Sequence, residues 1–256
     1  MELLNETNEK YLKALVYGDC GVGKTSLAAT CPSPLVLLSE RHGATSLMQA
    51  AERNGVERPT TLHMRSLTDY RNVIVGLRGD KSKPFKVLHQ GKTIIDDVWP
   101  QTVVLDSLTD ACRLIEDEIR TSGKDTETMS IPQYGTLKVR AERMISAFRD
   151  APCHVLFLCL MDDKGEGLDR TLRPKLPGRG LPDFAAASVN VVAVADRKVI
   201  PQKDGAEALV EYRAWTIKPG PYMLKPMRPL RDFEEMNFSK WVNKIFGETK
   251  EVKETK

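Results

Sequence analysis

Gly18-Asp19-Cys20-Gly21-Val22-Gly23-Lys24-Thr25-Ser26 fits the P-loop pattern G-x-x-x-x-G-K-[ST]. The spacing has a chemical reason. Glycines let the backbone fold into a tight nest whose N–H groups point at phosphate oxygens. Lys24 brings a positive charge to the β- and γ-phosphates, and the Thr25 hydroxyl is suited to ligate Mg²⁺. The helix that follows aims its positive end at the phosphates. Upstream, residues 11–17 read as an apolar strand. Downstream, residues 26–30 read as helix and break before Pro32 and Pro34. That strand–loop–helix context is what a phosphate-binding loop requires. Cys20, inside the loop, reads as a tolerated small residue.

Outward from the loop, continuous apolar runs recur. Residues 35–39, 102–106 and 154–160 suit strands buried on both faces. Segments of helical period lie between them, at 45–54, 107–119 and 136–150, with a further helix capped by Thr68. Residues 61–66 read as a short strand. Residues 78–100 break the rhythm with Arg78, Lys81, Lys83, Lys86 and Lys92, and read as a basic surface insertion of hairpin type. Residues 190–200 and 208–217 read as two strands joined across Lys203-Asp204-Gly205. Ser239 starts a last helix around Trp241. The predicted fold class is α/β: a mostly parallel sheet, helices on both faces and a C-terminal β-hairpin. One domain is expected over 1–247, with a polar, disordered tail at 248–256.

Composition sets bounds. A chain of 256 residues with 41% hydrophobic and 29% charged residues suits one large α/β domain. A formal charge of +3 does not by itself argue for nucleic acid, so a basic partner surface must come from local clustering. The five cysteines form no C-x-x-C pair and the four histidines no metal-ligand spacing. No signal peptide and no transmembrane run is evident, so a cytoplasmic location and no membrane partner are expected.

Hydrolysis needs carboxylates beyond the P-loop. One must hold Mg²⁺ or its water shell, and another must orient or deprotonate the attacking water. Asp106 ends an apolar strand and is the candidate for the metal. Glu40 ends the strand after the P-loop helix and should emerge at the same sheet edge, where ligands of open parallel sheets gather. It is the candidate base, with Lys24 as the catalytic cation. No N-K-x-D element is present, which argues against a GTPase.

The segment Leu37-Leu38-Ser39-Glu40-Arg41-His42-Gly43 resembles the strand of RecA-type ATPases that ends in their catalytic glutamate. Val103-Val104-Leu105-Asp106-Ser107 is similar to their Walker B strand. Leu176–Asp183 and Lys225-Pro226-Met227-Arg228 resemble small phage-type ATPases that are little more than a RecA core. The resemblance implies ATP and Mg²⁺ as ligands, a homo-oligomeric ring or filament, and DNA-dependent ATP hydrolysis. Some of those relatives anneal single strands in recombination, which implies single-stranded DNA and a single-strand DNA-binding protein as partners. It also implies two DNA-facing loops, at about 121–133 and 162–183. In the second, Arg170, Arg173, Lys175 and Arg179 are the candidate phosphate contacts, with acids close by at Asp162, Asp163, Glu166 and Asp169. Lys225 and Arg228 are candidates to act on a neighbouring subunit's nucleotide.

There is one departure. RecA relatives usually carry a polar γ-phosphate sensor before the second loop, whereas this chain has Cys159-Leu160-Met161. Two alternatives stay open: a nucleotide-gated recruitment module with little turnover, and a small-molecule P-loop kinase.

Overall fold

Side chains alternate across a strand, and here the two sets enter two separate cores. The computed structural model describes residues 10–40, 43–121, 129–200 and 209–247. Its elements run β1 (Lys13–Gly18), α1 (Lys24–Ala29), β2 (Pro34–Leu38), α2 (Gly43–Asn54), β3 (Thr60–His63) and α3 (Leu67–Leu77). A hairpin of β4 (Phe85–His89) and β5 (Lys92–Asp96) follows. Then come β6 (Thr102–Asp106), α4 (Leu108–Thr121), α5 (Ile131–Arg149), β7 (His154–Lys164), β8 (Thr171–Pro174) and α6 (Gly180–Ala187). The described chain ends with β9 (Val191–Ile200), β10 (Leu209–Trp215), β11 (Phe233–Glu235) and α7 (Phe238–Phe246).

The main sheet has the order β11-β10-β9-β1-β7-β6-β2-β3, with β8 paired to β7. The five strands from β9 to β2, and β3 beyond them, run parallel; β10, β11 and β8 pair antiparallel. Leu15, Tyr17, Leu37, Leu105 and Phe157 face a core closed by α3, α4, α5 and α6. Ala14, Val16, Val36, Val104 and Leu158 face the other, closed by α1, α2 and α7. Burial on both faces is why these strands read as continuous apolar runs. The α/β class, the parallel sheet, the helices on both faces and the C-terminal hairpin are as expected.

Several boundaries differ for local reasons. Ser66, not Thr68, caps α3: its side chain accepts from the Asp69 N–H and Asp69 Oδ2 accepts from the Ser66 N–H, a reciprocal box. Asn237, not Ser239, caps α7, because its side chain accepts from Lys240 N–H, while Ser239 Oγ donates to Thr30 O. Helix α5 starts at Ile131 rather than 136, where Gln133 Oε1 accepts from Ser130 N–H at 2.7 Å. Residues 162–183 are not one loop. Strand β7 continues through Lys164, β8 returns beside it, and α6 starts at Gly180, with Asp162 opposite Arg173 in the register. In the basic insertion Phe85 and Val87 are buried in the core that α3 helps close. The turn Lys203–Gly205, Arg41, His42, most of the first proposed DNA loop and the tail at 248–256 lie outside the described residues. Among the described residues, no helix is long and apolar enough to cross a membrane.

At the amino end of the sheet, Nδ1 of His154 accepts the Leu12 N–H at 2.8 Å. Burial, aided by the charge of Lys13, holds the His154 pKa down to about 4. An unfolded chain takes up this proton near pH 6.5 and the folded chain only near 4, so stability is lost as pH falls through that window. The imidazole is partly exposed, which reduces the effect to about 1–2 kcal/mol. Urea midpoints at pH 7 and pH 5 should therefore fall less in His154→Gln than in the unaltered protein.

Candidate nucleotide-binding site

The P-loop joins β1 to α1 at the carboxyl edge of the sheet. Gly21 and Gly23 adopt φ of 76° and 88°, the left-handed region that side chains resist. Gly18 is needed for a different reason: a Cβ there would lie 2.6 Å from the Ala195 carbonyl oxygen of β9. The Lys24 ammonium donates to the carbonyls of Gly18 at 2.9 Å and Asp19 at 2.7 Å. It thus folds over the loop that carries it. Burial lowers its pKa, and the nearby carboxylates of Asp106 and Asp19 act in the opposite direction.

Strand β6 delivers Asp106 to the same edge, two strands from β1 across β7. Thr25 Oγ1 donates to Asp106 Oδ2 at 3.0 Å. Burial raises the Asp106 pKa, while the Thr25 hydrogen bond and the Lys24 charge pull it back. A hydroxyl and a carboxylate meeting at one point is an all-oxygen donor set of the kind hard divalent cations take. Among the described residues no group of three or more His, Cys, Asp or Glu is placed to hold a metal. Mg²⁺ here would draw its remaining ligands from phosphate oxygens and water, as is usual for this ion.

Glu40 emerges beside this pair. Leu38 is in register with Asp106, and the Ser39 N–H donates to the Asp106 carbonyl at 3.0 Å. Glu40 is exposed, and its charge raises the Asp106 pKa further. Behind it, the Ser39 and Tyr70 hydroxyls share a 2.9 Å hydrogen bond that fixes the strand end. Sequence reasoning missed this support. It also missed the anchoring of β7 to α4, where Thr109 Oγ1 accepts from the Leu160 N–H at 3.1 Å.

A family model described as an AAA domain matches residues 10–200. The chain belongs to the AAA-domain family. The match covers the P-loop, Glu40, Asp106 and every strand through β9. This AAA domain is thereby a P-loop ATPase domain, the coarse level of the RecA-type resemblance. None of the curated proteins compared matches the chain.

The other named cations of the chain fall into different settings. Arg170 is engaged by Asp163 at 2.8 and 3.0 Å on the surface. Arg173, Lys175 and Arg179 line a cleft of about 540 Å³ beside α4, joined by Arg113 and Lys164 and opposed by Asp162 and Glu116. Arg113 and Lys164 were not foreseen, because they lie outside the basic stretch in sequence. Lys225 is tied down, its ammonium donating to the Val189 and Ala187 carbonyls at 2.5 and 3.4 Å after α6. Arg228 is exposed.

Proposed function

We propose that this chain binds ATP with Mg²⁺ and is a DNA-dependent ATPase that binds single-stranded DNA and promotes annealing or strand exchange, as in phage-type recombination. One observation carries the reading. Lys24, Thr25, Asp106 and Glu40 lie together at the carboxyl edge of the sheet, and the basic cleft is lined by the part of β7 that continues past its last rung with β1, by β8 and by α4. Lys24 and the loop amides would hold the triphosphate. Thr25 and Asp106 would hold the metal, which neutralises phosphate charge, and Glu40 would position the attacking water. DNA phosphates would run along the cleft, with Arg173, Lys175 and Arg179 as contacts and Arg170 joining once released from Asp163. A homo-oligomeric ring or filament would complete such a surface, with Arg228 reaching a neighbouring site and a single-strand DNA-binding protein as a further partner. The host cytoplasm is where that work would take place.

Neutralising Arg170, Arg173, Lys175 and Arg179 together should weaken oligonucleotide binding. It should also flatten the salt dependence, since each lost phosphate contact removes about 0.7 from the logarithmic slope for single strands. Fluorescence anisotropy with a labelled single-stranded oligonucleotide at two salt concentrations, with and without Mg-ATP, reads this. An unchanged slope moves the DNA site away from the cleft.

A second reading is a nucleotide-gated recruitment module with little turnover. Its support is Cys159-Leu160-Met161, beside the end of β1 in the register, where Leu160 and Met161 offer no polar side chain to sense a γ-phosphate. Tight ATP binding with negligible hydrolysis would favour it.

A further inference from the structure

We propose that Tyr212 is the platform on which the base of a nucleotide bound at the P-loop stacks. It would be the residue through which this chain tells a nucleoside triphosphate from triphosphate alone. The proposal rests on the nucleotide-binding reading and adds the base subsite to it.

The C-terminal hairpin rises past the edge of the sheet. Strand β9 pairs with β1 only as far as Val194, but its pairing with β10 continues to Ile200 opposite Leu209. At about 3.3 Å per residue, the hairpin stands roughly 20 Å above the last rung it shares with β1. Alternation puts the cross-strand pairs Ala195–Ala214, Arg197–Tyr212 and Val199–Val210 on one face. Ala195 and Ala214 belong to the buried cluster that holds Val22 and Leu27, so this is the face turned toward the P-loop and α1.

Tyr212 meets the loop directly. A Cβ built on Gly23 would lie 3.2 Å from Tyr212 Cδ1 and 3.5 Å from its Cγ. The ring therefore rests against the glycine that precedes Lys24, and any side chain at that glycine would press on it. Yet Tyr212 stays 42% exposed, with Val210 at 40% and Val199 at 55% on the same face. A flat ring in contact with the phosphate nest and still partly open to solvent suits a base leaving that nest. Stacking on an aromatic ring tolerates any base, because every base has a π-face. Tyr212 would therefore read the presence of a base rather than its identity. The family match ends at residue 200, so this platform belongs to the part of the chain beyond it.

The test is calorimetric titration of the unaltered protein, Tyr212→Phe, Tyr212→Leu and Tyr212→Ala. Each is titrated with Mg-ATP and with magnesium tripolyphosphate. Tyr212→Phe should keep ATP affinity. Tyr212→Leu and Tyr212→Ala should lose roughly 5- to 150-fold for ATP, the range stacking supplies, with tripolyphosphate binding unchanged. Equal losses for both ligands would make Tyr212 a prop for the loop and overturn the proposal. Unchanged ATP affinity would overturn it too, and a change in sedimentation alongside would assign the face to contact between copies. An unaltered protein that binds neither ligand would overturn the nucleotide-binding reading itself.

Discussion

Lys24→Ala is expected to weaken Mg-ATP binding by about 100-fold or more. A charge-assisted hydrogen bond contributes about 1.5–3 kcal/mol, and this ammonium would make more than one to the phosphates. Without phosphate, Lys24 donates to the Gly18 and Asp19 carbonyls and its charge is disfavoured by burial. Removing the side chain therefore gives up two hydrogen bonds but also a buried charge, and the two effects oppose each other. The melting temperature should shift by only a few degrees. Calorimetric titration and thermal unfolding of the same preparation separate the two effects. Unchanged affinity in a folded variant would mean that the loop does not hold the triphosphate.

Glu40→Gln is expected to separate binding from chemistry. The amide keeps the shape at the end of β2 but cannot take a proton from water. General-base catalysis contributes about 10²- to 10⁴-fold, so single-turnover hydrolysis should slow by that order. Binding should hold within a few-fold, for a reason visible in the site. The Glu40 charge raises the Asp106 pKa, so removing it lets the Asp106 carboxyl ionise more readily and leaves the Thr25–Asp106 pair intact. Quench-flow with labelled ATP at saturating protein reads the rate directly. Normal hydrolysis by the variant would move the base elsewhere.

The parts of this molecule that were legible in the sequence are those with a local signal. The P-loop is specified by glycines whose left-handed backbone tolerates little else. The central strands announce themselves because both faces are buried, which leaves long apolar runs at β1, β2, β6 and β7. Asp106 and Glu40 could be named because parallel strands deliver their carboxyl ends to one edge, so position along a strand predicts position in the site.

What was not legible depends on side chains meeting across long separations or choosing between near-equal local options. Ser66 and Thr68 are both capable caps, and Asp69 decides between them by bonding back to Ser66. The acids at 162 and 163 and the arginines at 170 and 173 read as mixed loop charge; the β7–β8 register sets Asp162 opposite Arg173, and the turn before β8 brings Arg170 to Asp163. Lys225 looked free in sequence, but the carbonyls after α6 claim its ammonium. Tyr212 reaches Gly23 from a strand far down the chain, and nothing local to either residue signals that contact.

DNA dependence is decided by steady-state ATP hydrolysis with no nucleic acid, with a single-stranded oligonucleotide and with the matching duplex, at fixed moderate salt. Turnover should rise with the single strand, rise less with duplex, and be lost in Glu40→Gln under all three conditions. Turnover that is the same with and without DNA would contradict the DNA-dependent reading.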